Sequence, residues 1–166
     1  MADDPSSPLF PLPAAPLILL AELLTSKLAV LIDPGREAER GPFLRSLRPI
    51  ESDYSRVFVA DAVERARAFY DAMWSKDAGP ATFDPRRTVL KFHVAVPEDF
   101  LSSHPRAAAF PRGYRSVANK LLPGVPWACF ELLEPGETLG LSTDGLVLVD
   151  DRLLWFPRPF LALGFS

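Results

Sequence analysis

His93 and Glu131 are the side chains in this sequence best suited to proton transfer. His93 lies in a stretch near 88–96 where Leu90, Phe92, Val94 and Val96 alternate with Val89, Lys91, His93 and Ala95. A two-residue period marks a half-buried strand, with His93 on its less apolar face. Trp127, Cys129, Glu131 and Leu133 alternate in the same way further along the chain. If the two strands are neighbours, His93 could act as a general base with Glu131 as its carboxylate partner. The plainer reading of His93 is a surface or packing histidine.

Other chemistry-bearing residues are few. Arg158 stands between Pro157 and Pro159, with Phe156 and Phe160 outside them. Two prolines stiffen the segment, so Arg158, Phe156 and Phe160 are candidate contacts for a ligand or a partner. An arginine paired with a nearby acid is the simpler alternative. The single cysteine, Cys129, excludes an intramolecular disulfide and a cysteine-based zinc site. Between Ala128 and Phe130 it reads as a small buried apolar residue. His93 and His104 are the two histidines and form no metal-binding spacing, so no metal is expected. Asp144, Asp150 and Asp151 are the one visible acidic grouping. They lack calcium-loop spacing and read as turn residues. Glycine-rich phosphate loops and the nucleophile-elbow pattern are absent, and no cofactor is expected.

The elements that would position these residues divide into helices first and strands later. Four prolines within residues 1–13 predict an extended tail without helix. Residues 14–166 read as a single domain. A strongly apolar helix is expected from about Ala14 to Ile32, stopped by Asp33-Pro34-Gly35. Glu22, Thr25 and Ser26 form its narrow polar stripe, so it belongs in the core or under a partner. A short helix is expected around Glu37–Leu47, interrupted near Gly41-Pro42. Another helical segment begins near Ser52 and reaches Lys76, with its clearest amphipathic stretch from Val59 to Trp74. After the strand near 88–96, short helices are expected at 98–103 and 113–122. A meander of short strands then occupies 127–156: 127–133, 138–142, 146–149 and 152–156. Asp144-Gly145 carries the two-residue hairpin signal, and Asp150-Asp151 a weaker one. This order predicts an α+β fold, with the N-terminal helices packed on one face of a mostly antiparallel sheet.

Composition narrows the function classes. The chain has 166 residues, 48% of them hydrophobic, which is enough to build a core without staples. A net charge of −3 gives no basis for broad phosphate neutralisation, so nucleic acid is not an expected partner. The apolar run 17–32 is too short to span a bilayer and carries Glu22 and Lys27, so no membrane span is expected. A lone cysteine and an N-terminus without a basic leader point to the cytoplasm.

The element order loosely resembles the cystatin-like cone of the nuclear-transport-factor-2-like superfamily, in which N-terminal helices cover a curved antiparallel sheet. That resemblance implies a fold and leaves function open, because such folds host enzymes and binding domains alike. The expected function is a non-catalytic protein-interaction or small-ligand-binding protein, accessory or regulatory in role. Its apolar surface would serve a protein partner or self-association, including a homodimer. The alternative is a small enzyme with a pocket between sheet and helices, using His93 and a carboxylate as acid and base.

Overall fold

In a computed structural model of the chain, residues 14–76 and 84–164 are described, with side chains from residue 17 onward. The expected tail over 1–13 lies outside them. Helices α1 (Ala14–Leu28), α2 (Glu37–Ser46), α3 (Glu51–Val57) and α4 (Val63–Trp74) come first. Strand β1 (Val89–Ala95) follows, then the short helices α5 (Pro97–Ser102) and α6 (Gly113–Val117). Strands β2 (Trp127–Leu133), β3 (Leu141–Val149) and β4 (Arg152–Trp155) and helix α7 (Pro159–Ala162) complete the fold. The sheet is antiparallel throughout, in the order β1-β2-β3-β4. The α+β class is therefore as expected.

Leu17, Leu20, Leu24 and Leu28 recur at helical spacing and are buried, so one side of α1 joins the protein's own core. Ile18 and Leu19 remain more than half exposed. Helix α2 runs unbroken through Gly41-Pro42, missing only the backbone donor that proline lacks. The helical segment expected from Ser52 to Lys76, read with room for a kink, is two separate helices. Phe58 is extended and bridges Leu121, and Val59 N–H donates to Lys120 O at 3.0 Å. Pairing with the remote strand-like segment outweighs local helix propensity there. The cap of α3 is Ile50, one turn before Asp53, whose carboxylate accepts the Ile50 N–H at 2.8 Å. Asp53 is buried and also takes a two-pronged pair from Arg152 at 3.0 Å, tying α3 to β4.

Helical cover reaches both faces of β2. Trp127 and Cys129 on one face are buried, and so are Ala128, Phe130 and Leu132 on the other. A strand this apolar on both sides needs a layer on each. Tyr114 of α6 and Phe58 pack their rings on Trp127, with centroids 5.7 and 6.4 Å away. Phe58 in turn meets Phe156 and Tyr70 in an aromatic centre shared by helices and sheet.

The expected hairpin at Asp144-Gly145 is absent. Both residues lie inside the continuous strand β3. Ala128 pairs with Leu146 and Phe130 with Thr143, so Asp144 and Gly145 together face Cys129. That two-against-one count defines a β-bulge. Gly145 does adopt the positive φ (89°) anticipated from its type, but spends it on the bulge. The two-residue turn is Asp150-Asp151, between Val149 and Arg152, with Asp150 at φ 55°.

Candidate functional site

A cleft of about 350 Å³ opens where α4, the bulged part of β3 and the β4–α7 connection meet. Phe69 and Met73 of α4 form one wall, Leu141, Ser142, Thr143 and Asp144 of β3 another, and Trp155, Pro157, Arg158 and Leu161 the third. Each wall follows from local structure. Phe69 and Met73 are four apart on α4 and therefore share a side of that helix. The bulge interrupts the regular alternation of β3 and so re-aims Asp144. Proline at 157 and 159 ends β4 and starts α7, leaving Arg158 between them in a left-handed conformation (φ 50°, ψ 58°).

Asp144 is the polar centre of the cleft. Its Oδ2 accepts the Tyr114 hydroxyl at 2.7 Å and the Arg158 backbone N–H at 2.9 Å. Its carbonyl accepts the Trp155 indole N–H at 2.9 Å. Tyr70, fully buried, donates its hydroxyl to Pro157 O at 3.1 Å. One carboxylate thus fixes the left-handed residue, and two buried phenols fix the walls.

Burial, with Asp144 and Tyr54 adding to it, holds the Tyr70 hydroxyl well above its ordinary range; burial and Asp144 do the same for Tyr114. Burial and then Asp71, which accepts the Tyr54 hydroxyl at 3.3 Å, raise Tyr54 as well. Burial pushes the Cys129 thiol up to about 12, reinforced by Asp144 and Glu131. All four groups are raised, so the folded state keeps protons that the unfolded chain releases. Their stabilising effect is complete below about pH 9 and is lost as pH rises beyond it, by about 1.4 kcal/mol per pH unit for each group above its unfolded pKa. The thermal midpoint, followed by near-ultraviolet circular dichroism, is expected to fall steadily from pH 9 to 11.5. A flat profile over that range would contradict it.

His93 and Glu131 lie on adjacent strands and on the same face, because His93 pairs with Cys129 and Lys91 with Glu131. No hydrogen bond or ion pair joins them among the described residues. His93 is exposed on a strand at the sheet's edge and lines none of the clefts described here. Phe156 is completely buried, ringed by Tyr54, Phe58 and Tyr70 at 5.1–5.5 Å, and so presents no surface to a partner. Phe160 is half-buried against Gly113 and Tyr114. Arg158 is exposed at the cleft mouth. Cys129 is buried, as its neighbours suggested.

Sequence reasoning placed Asp144 in a hairpin and overlooked the cleft. A glycine within a strand-like stretch is the signal in the sequence for a bulge. A larger cleft of about 490 Å³ lies between the end of α1 and α2, but its Arg36 and Glu39 pair with each other at 2.5 Å. A third, near 210 Å³, borders His104, whose Nδ1 accepts the Arg106 N–H at 3.1 Å. Arg106 grips buried Asp99 with two hydrogen bonds of 2.9 and 3.0 Å. The Arg36–Glu39 and Arg106–Asp99 charges at these two clefts are thus paired with each other. Among the described residues, no group of three or more His, Cys, Asp or Glu side chains is placed to hold a metal ion. Likewise, no helix among them is long and apolar enough to cross a membrane.

Comparison with family models, with curated proteins and with solved structures finds no match. Fold and site together define an α+β protein with a small, mostly apolar cleft at a sheet bulge.

Proposed function

We propose that this is a non-catalytic binding protein, accessory or regulatory in role, that receives a small ligand in the Asp144 cleft. The observation that carries this reading is the cleft's construction. Apolar side chains of three elements surround Trp155, and a hydrogen-bond network, part of it buried, holds the walls in place. Small-molecule sites have this pattern: largely apolar, pre-formed, with a few placed polar groups. Acid–base catalysis by His93 with Glu131 draws support only from their shared sheet face. Self-association through α1 has Ile18 and Leu19 in its favour, since both stay exposed. A reducing cytoplasm suits the single buried thiol.

Leu161 gives the test. It is half exposed at the rim, so Leu161→Glu is expected to leave stability within about 0.5 kcal/mol of the native protein while placing a charge at the mouth. Saturation-transfer NMR with a neutral aromatic probe, 2-phenylethanol, should show binding to the native protein and none to Leu161→Glu. Binding unchanged in the variant, or no binding of either 2-phenylethanol or its charged analogues to the native protein, would count against the cleft.

A further inference from the structure

We propose that the cleft takes a small zwitterion with an apolar side group, of which an α-amino acid with a large hydrophobic side chain is the simplest case. The proposal rests on reading the cleft as a ligand site and specifies the chemistry of its ligand.

Two opposite charges stand at the cleft without closing on each other. Asp144 Oδ2 is committed to Tyr114 and to the Arg158 backbone, whereas Asp144 Oδ1 makes no hydrogen bond among the described residues. The Arg158 guanidinium likewise has no hydrogen bond or ion pair among them. Arg152, Arg106 and Arg56 close onto the neighbouring carboxylates of Asp53, Asp99 and Asp150. At Arg158 the carboxylate holds the backbone N–H instead, in a left-handed conformation between two prolines. Non-glycine residues occupy that region at a free-energy cost, and such strain concentrates at ligand clamps.

A ligand ammonium would donate to Asp144 Oδ1, and a ligand carboxylate would accept from the Arg158 fork. The Arg158 backbone lies beside the Asp144 carboxylate, its N 2.9 Å from Oδ2, so both side chains branch from the same part of the cleft. The apolar group would lie against Phe69, Met73, Trp155 and Leu161. A lone anion would face Asp144 and a lone cation would face Arg158, so each is disfavoured by like charge where the zwitterion is not. The volume, about 350 Å³, is at the small end for ligand pockets and suits one compact molecule.

Four probes with a shared phenyl-ethyl frame separate these terms: L-phenylalanine, 3-phenylpropanoate, 2-phenylethylamine and 2-phenylethanol. Titrated by NMR into the full chain, phenylalanine is expected to bind about tenfold or more tighter than the other three, the 1.4 kcal/mol equivalent of one good charged contact. Arg158→Gln should erase its advantage over 2-phenylethylamine, and Asp144→Asn its advantage over 3-phenylpropanoate. Asparagine still offers Tyr114 and Arg158 an acceptor. If that variant nonetheless fails to fold, the native probe series and Arg158→Gln decide the matter. Binding of 2-phenylethanol as tight as that of phenylalanine would overturn the zwitterion while leaving the cleft a ligand site. Binding by none of the four would overturn both.

Discussion

Gly145→Ala is expected to cost about 3 kcal/mol or more, combining left-handed strain with steric overlap. Gly145 sits at φ 89°, a region that side-chain-bearing residues rarely adopt. A Cβ there would lie 2.4 Å from both Phe156 O and Pro157 Cα. Those are backbone atoms, so no rotamer change relieves the contact. The strand must separate from the segment that follows β4, where Phe156 N–H now donates to Gly145 O at 2.7 Å. Urea unfolding should show a lower midpoint with an unchanged slope. The same substitution moves Asp144 and the segment 157–158, so any ligand affinity of the cleft should fall with it. An alanine variant of native stability would mean that the bulge is not built as described.

Phe156→Ala is expected to destabilise by about 3–5 kcal/mol, the usual cost of deleting a fully buried aromatic ring and leaving a cavity. Phe156 has no solvent exposure, and its ring contacts Tyr54, Phe58 and Tyr70 edge-on. For a chain of this size each kcal/mol lowers the thermal midpoint by about 2–4 °C, so calorimetry should record a fall of roughly 10 °C. Phe156→Leu should lose less, because it keeps most of the apolar volume. A surface contact residue would behave in the opposite way, with native stability and lost binding.

Fold class was legible because its signals are local. Period-two alternation in Val89–Ala95 and the short apolar run Trp127–Leu133 mark strands, and the heptad-like leucines of α1 mark a helix with one buried side. Proline at 157 and 159 ends β4 by removing donors, which needs no tertiary information. The role of Gly145 was different. Its residue type determined that φ could be positive, but the register against β2 and the approach of Phe156 and Pro157 decided between a hairpin and a bulge. Phe156 and Phe160 look alike in the sequence, yet one is central and the other half-exposed, because burial depends on which elements converge there. Likewise Phe58 leaves the helix expected through it only because Leu121, remote in the chain, offers a backbone partner. Composition and periodicity thus determined the class and the apolar faces of the clearest elements. The cleft, the Asp144 network and the hold of Asp144 on the Arg158 backbone arise from contacts between residues far apart in sequence, which only the tertiary structure brings within hydrogen-bonding distance.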